Sequence, residues 1–184
     1  MSIIAYSYPR HGKAIHSGLA IFGIAAYLTA ELAEADSNTW GYLIHAYLGF
    51  GLGLSIALRL ALGFSHSETL SFKGWSPLVL NQWKIALADL KSLLRLKLPD
   101  HQHHQGLAGL VQAFGLLIFI WMAITGTLLF IIQKDTGSIV FEIIEEAHEI
   151  GESLIPLFLG IHIGAVFLHT VTGNPIWKRM FSSN

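Results

Sequence analysis

Four long stretches of this chain contain no Asp, Glu, Lys or Arg, and they constrain its fold more than any other feature of the sequence. They cover residues 14–30, 37–58, 101–133 and 153–177. Each is near or above the roughly 17–25 residues that an α-helix needs to cross the hydrocarbon core of a bilayer. The sequence therefore predicts a protein that lies in a membrane.

From these stretches we predict an all-α integral membrane protein, a bundle of four transmembrane helices that forms a single membrane domain over residues 1–184. A soluble bundle with unusually apolar helices is the alternative, because an apolar fraction of 53% alone does not exclude it. The predicted spans cover about residues 14–33, 40–63, 106–132 and 147–172.

The charged residues outside these stretches are sorted by sign. Basic residues lie before the first span, between the second and third spans, and after the fourth, whereas acidic residues dominate the other two loops. Loops rich in Lys and Arg stay on the cytoplasmic side. We therefore predict a multi-pass membrane protein with both termini and the central loop in the cytoplasm.

Three further features of the composition limit the possible functions. The net charge of −1 gives no indication of nucleic-acid binding. The absence of cysteine excludes disulfides and thiolate-held clusters. Residues 6–13 are polar and the first apolar run has no small-residue cleavage site, so no cleavable signal peptide is expected.

The central loop contains a second kind of helical pattern. Residues 78–97 alternate apolar and basic side chains at helical spacing, and Pro99 follows them. This pattern predicts an amphipathic interfacial helix that lies on the inner leaflet. A docking surface for a partner subunit is the alternative interpretation.

Histidines inside the predicted spans carry the functional argument, because ionisable residues within membrane segments are rare and commonly functional. His148 and His162 are fourteen residues apart on span four, which is roughly 21 Å along a helix and about 40° around it. The topology places His16 at the depth of His162, on the inner side, and His45 at the depth of His148, on the outer side. Two histidine pairs at two depths are what two bis-histidine b haems require.

A zinc site and a proton relay are the other interpretations of these histidines. Zinc prefers three or four ligands at one depth, and no depth offers them. A proton relay would need carboxylates within the spans, but Glu31, Glu149 and Glu152 lie near span ends. His169 lies seven residues after His162, on nearly the same side of the helix, so it is the alternative inner ligand.

Two basic residues and one histidine-rich tract are further candidates for a role in binding. Lys13 and Arg59 lie where they could neutralise propionates of the inner haem, although Arg59 could instead extend to the headgroups. The sequence HQHHQ at 101–105 is histidine-rich, and such tracts can bind metal. Exposed histidines in a polar loop usually bind none, so no metal site is predicted there.

The chain resembles the bacterial cytochrome b561-type family, which includes the cytochrome b subunits of nickel–iron hydrogenases. The likeness covers nearly the whole chain. The matching positions are Lys13-Ala-Ile-His16, then His45, Gly49, Arg59 and Gly63, then His148, His162 and His169, and finally Gly-Asn-Pro-Ile-Trp-Lys-Arg-Met at 173–180.

The resemblance implies that His16, His45, His148 and His162 ligate the iron of two b haems. It implies electron transfer between a quinone pool and a redox partner, either a periplasmic cytochrome c or a subunit of a redox enzyme.

One branch of the family acts alone as a superoxide:quinone oxidoreductase, but the acidic outer loops would repel an anion. Whether the chain is itself an enzyme stays open, no catalytic residue is predicted, and an oligomer is possible. A haem-free anchor is the third alternative.

Overall fold

The computed structural model describes residues 7–33, 39–67, 69–101, 104–132 and 138–181, and within these residues it contains helices and no strand. An all-α fold is therefore confirmed. The helices of the described residues are α1 (Arg10–Leu28), α2 (Ala30–Ala33), α3 (Trp40–Gly63), α4 (Phe72–Trp75), α5 (Leu80–Leu94), α6 (Gly106–Ile132), α7 (Ile139–Val171) and α8 (Lys178–Phe181).

Three of these helices, α3, α6 and α7, are long and apolar enough to cross a membrane. Helices α3 and α6 occupy the ranges expected for the second and third spans. Helix α7 begins eight residues earlier than the expected fourth span, because the amphipathic segment from residue 139 continues into the apolar one without a break.

Helix α1 is not among the three candidate spans. Its 19 residues begin at Arg10 and include Lys13, and it ends at Leu28 rather than at residue 33. The backbone N–H of Thr29 still donates to the carbonyl oxygen of Ala25 (3.2 Å), and α2 follows directly from Ala30. The prediction of four spans, and of a single domain over the whole chain, stays a prediction.

The described residues group into two compact units. Unit A comprises the described parts of residues 14–59 and 116–157, and unit B those of 1–13, 60–115 and 158–184.

In unit A, glycines permit close approach of helices, as small residues do in membrane bundles. A Cβ atom on Gly51 would lie 2.6 Å from the ring of Phe22, and one on Gly18 would lie 2.7 Å from Ser55 Oγ.

In unit B, helix α5 is joined to the beginning of α6 by buried polar side chains. The backbone N–H of Gly106 donates to Gln82 Oε1 (3.0 Å), and that of Leu107 donates to Asp89 Oδ2 (3.0 Å). His101 Nε2–H donates to the other oxygen of Asp89 (2.8 Å). The first N–H groups of a helix lack partners within the helix, so Gln82 and Asp89 supply the acceptors that the start of α6 needs.

We expect Asp89→Ala to destabilise the protein by about 1–3 kcal/mol, because the buried N–H of Leu107 and the imidazole of His101 both lose their acceptor. The measurement is the midpoint of thermal unfolding in detergent micelles. Asp100→Ala is the matched control, because that carboxylate is about half exposed and makes one long contact with Arg179. Equal midpoints for the two variants would contradict the role assigned to Asp89.

Candidate haem-binding site

Two of the predicted ligands meet inside unit A. His45 on α3 and His148 on α7 have their ring centres 6.2 Å apart, with the ring planes at 81°. Both side chains are half-buried. The structure thus brings together the pair that the sequence assigned to the outer side, although the two positions are more than a hundred residues apart in the chain.

The protonation of His45 follows from its hydrogen bond. Its Nδ1 lies 3.0 Å from the carbonyl oxygen of Ala26 on α1. A carbonyl oxygen can only accept, so Nδ1 carries the proton and donates. In the neutral imidazole the other nitrogen, Nε2, then has a free lone pair. That nitrogen is available to a metal.

The protonation of His148 follows from a chain of two hydrogen bonds. Its Nδ1 lies 2.8 Å from Thr125 Oγ1 on α6, and the hydroxyl of Thr125 donates to the carbonyl oxygen of Trp121 (2.9 Å). Because the single hydroxyl proton of Thr125 is used there, its oxygen accepts from His148. His148 therefore has the same tautomer as His45, with Nε2 unprotonated.

Thr125 and Ala26 were missed by the sequence analysis. The third span contains no histidine and was expected to ligate nothing, yet α6 supplies the residue that orients His148. Nothing in the sequence singles out Thr125 among the hydroxyl residues of the spans, and a backbone carbonyl such as that of Ala26 has no sequence signal. Partners of this kind commonly hold metal-bound histidines in place.

Glycines leave room around the two imidazoles. Gly49 lies one turn after His45 on α3, and a Cβ atom there would meet nothing within 4 Å. A Cβ atom on Gly126 would lie 3.2 Å from Cε1 of His148. A side chain at either position would reduce the space available to a flat cofactor or press on a ligand.

The donor set of this pair fits a b haem. Two neutral imidazoles with free Nε2 atoms are a donor set that would hold the iron of a b haem. The two rings lie near each other, with centres 6.2 Å apart, so both could contribute to one such site.

The remaining predicted site residues are divided between the units. His16 and Arg59 belong to unit A, whereas Lys13, His162 and His169 belong to unit B, so the pairing of His16 with His162 stays a prediction. Arg59 is only 9% exposed, and its contact with a haem propionate stays a prediction.

His162 and His169 differ in their surroundings within unit B. The ring of His162 stacks on that of Phe158, with centres 5.6 Å apart and planes 24° apart. His169 instead lines a cavity of about 290 Å³ together with polar groups and two leucines. The other lining residues are Leu96, Leu98, Asp100, Thr172 and Asn174.

The histidine tract at 101–105 is only partly described, because His103 lies outside the described residues. His101 donates to Asp89, and His104 Nδ1 pairs with the hydroxyl of Tyr8. Among the residues that the structure describes, no group of three or more His, Asp or Glu could hold a metal ion.

Comparison with protein families identifies the chain. The model of the prokaryotic cytochrome b561 family matches residues 7–183. The chain belongs to this family. The resemblance seen in the sequence is thus confirmed, and it establishes a multi-pass membrane cytochrome that binds b-type haem and transfers electrons. A search of curated proteins and a search of solved structures each returned no match.

We expect Thr125→Val to weaken binding of the haem at His148 by about 10- to 100-fold and to raise its reduction potential. The valine has the shape of threonine but no oxygen, so Nδ1–H of His148 loses its acceptor and the imidazole becomes less basic. Redox titration followed by absorbance measures both effects. Thr125→Ser is the control, since it keeps the hydroxyl and should behave as the parent protein does. A valine variant with unchanged affinity and potential would show that this hydrogen bond is not used.

Proposed function

We propose that this cytochrome carries electrons through the bacterial inner membrane on two b haems, between the quinone pool and a redox partner on the periplasmic side. The observation that carries the proposal is the pair formed by His45 and His148. Its two Nδ1 atoms are held by acceptors on other helices, and both Nε2 atoms are free to bind iron. This pair would ligate the outer haem.

The second haem is assigned to His16 and His162. Helix α7 runs from Ile139 to Val171 and carries both His148 and His162, which are fourteen residues apart in the sequence. The aromatic stacking of His162 on Phe158 supports it as the ligand, since a ring held in this way is oriented before the cofactor binds. His169, which lines a polar cavity, is the alternative.

The bound haems supply one-electron chemistry, and the chain supplies their ligation and environment. Two histidine ligands leave no open coordination position, which suits electron transfer rather than oxygen binding. Ala26 and Thr125 orient the imidazoles and adjust their basicity. Lys13 and Arg59 are proposed to neutralise propionates of the inner haem, and the burial of Arg59 supports a role inside the protein.

The proposed topology has four spans, with α1 as the first, and cytoplasmic termini. Its support is the placement of Lys and Arg in the predicted inner segments. Helix α1 has only part of an apolar span, because Arg10 and Lys13 occupy its first turn. Both cations would then lie at the cytoplasmic headgroups, where the positive-inside rule expects them. Helix α5 is proposed to lie at the same surface.

We expect two haems per chain in the purified protein, measured by the pyridine haemochrome assay against protein concentration. His148→Ala should remove one haem and leave the other, because only the outer pair loses a ligand, and His45→Ala should give the same single-haem spectrum. His169→Ala is the control and should keep both. One haem or none in the parent protein would contradict the proposal. Loss of a haem from the control would mean that His169, and not His162, is the inner ligand.

The partner is proposed to be a basic periplasmic protein, a cytochrome c or a domain of a larger redox enzyme. The predicted outer segments are acidic. Among their described residues, Glu31, Glu142 and Glu146 are exposed. Complementary charge accelerates encounter between electron carriers, and salt weakens it.

We expect the oxidation of the reduced protein by a basic cytochrome c to slow as ionic strength rises, as measured by stopped flow. The double variant Glu142→Gln and Glu146→Gln should react more slowly at low salt and depend less on salt. Asp100→Asn, an exposed acid in a predicted cytoplasmic segment, is the matched control and should react like the parent. A rate that is flat or rises with salt would mean that these acids are ordinary solvated surface.

A further inference from the structure

Helix α5 has its polar residues on the inside and its largest apolar residues on the outside. Gln82, Ala86 and Asp89 are buried. Trp83 and Leu87 are 55% and 58% exposed, and Leu90 and Leu94 are exposed as well. A helix that merely packed on a soluble surface would show the reverse arrangement.

The helical wheel of α5 has three distinct faces. At about 100° per residue, Trp83, Leu87, Leu90 and Leu94 fall within about 60° of one another; we call them the apolar stripe. The buried face is centred roughly 100° from this stripe. Lys84 and Lys91 lie on the other side of the stripe from the buried face, at about 70–90° from the centre of the stripe.

Polar hydrogen bonds hold α5 at the level where α6 begins. Gln82 and Asp89 accept from the backbone N–H groups of Gly106 and Leu107, the first two residues of α6. Helix α6 is a candidate membrane span that starts at Gly106. Since a span begins close to the headgroups, these bonds fix the depth of α5 at the membrane surface.

The charge around the stripe indicates which lipid it would meet. Between Leu78 and Leu98 the chain has four basic residues and a single acid, Asp89. Asp89 is buried and bonded to Leu107 and His101, so the exposed charge of this segment is entirely positive. The four basic residues, all exposed, are Lys84, Lys91, Arg95 and Lys97.

We propose that α5 is a lipid-binding helix that inserts its apolar stripe into the bilayer leaflet at the Gly106 end of α6 and binds anionic phospholipid headgroups through Lys84 and Lys91. The stripe faces the acyl chains, and the lysines beside it lie at headgroup level. Asn81 and Ser92, on the opposite side of the helix, face water. An apolar face beside basic residues is the usual form of a helix that lies in the membrane interface.

The chain has no cysteine, so single cysteines can report the depth of each face. A fluorophore is attached to Leu87→Cys or, as the matched control, to Asn81→Cys, and the purified protein is placed in lipid nanodiscs. We expect the label at 87 to be quenched by a nitroxide-bearing phospholipid and not by aqueous iodide, and the label at 81 to show the opposite. A label at 87 that iodide quenches as strongly as the label at 81 would overturn the proposal. Shielding from both quenchers would also overturn it, because a second copy or another protein would then cover the stripe.

The charge requirement is tested with lipid composition. We expect the unfolding midpoint of the parent protein to rise when phosphatidylglycerol replaces part of the phosphatidylcholine, by about 2–4 °C per participating lysine. The variant Lys84→Gln with Lys91→Gln should lose most of that rise, whereas Lys73→Gln, an exposed lysine on α4, should keep it. An equal rise in all three proteins would overturn the assignment of anionic lipid to these two lysines.

Discussion

The positions of two protons, on Nδ1 of His45 and Nδ1 of His148, decide whether these imidazoles can bind iron. An imidazole binds iron through an unprotonated nitrogen, so its proton must lie on the other ring atom and must be held there. In a membrane interior that proton also needs an acceptor, because an unsatisfied polar group is costly. Ala26 and Thr125 meet both requirements at His45 and His148. The two proposed ligands thus belong to α3 and α7, and the groups that orient them belong to α1 and α6.

These hydrogen bonds depend on close helix packing. The carbonyl of Ala26 can reach His45 only if α1 lies close against α3, and small residues make that possible. Near the middle of α1, a Cβ atom on Gly23 would be 3.4 Å from the ring of Phe119 and 3.7 Å from Leu52. Gly18 and Gly51 permit similar approach to Ser55 and Phe22. A larger residue at these glycines would therefore act on His45 through helix separation, without touching the histidine itself.

The sequence predicted the parts of the molecule that depend on hydrophobicity and on rare residue types. Helices α3 and α6 lie where the second and third spans were predicted, because both segments are long and predominantly apolar. The pairing of His45 with His148 was predictable because topology alone sets their depths. The end of α1 at Leu28 was not, because the first charged residue after it is Glu31 and no change in the apolar pattern marks residue 28. Thr125 was not either, because its role depends on how α6 is rotated about its own axis.

Composition and periodicity can predict that a segment such as α5 is a helix without predicting which of its faces contacts the protein. Its pattern predicted an amphipathic helix, and a helix is present, but periodicity does not say which face meets the protein. Asp89 and Gln82 decide this, because their acceptors complete the backbone of α6 at its first turn.

His45 and His148 reach the backbone of a neighbouring helix by different routes. His45 donates to a backbone carbonyl that belongs to helix α1, whereas His148 donates to a hydroxyl that itself donates to the carbonyl of Trp121. A hydroxyl polarised by its own donated bond is a better acceptor than an isolated one. Thr125 thereby couples His148 to the peptide backbone of α6 much as Ala26 couples His45 to that of α1. An iron bound by both Nε2 atoms would then have two ligands whose basicity is raised by helices that do not carry them, which favours the ferric state.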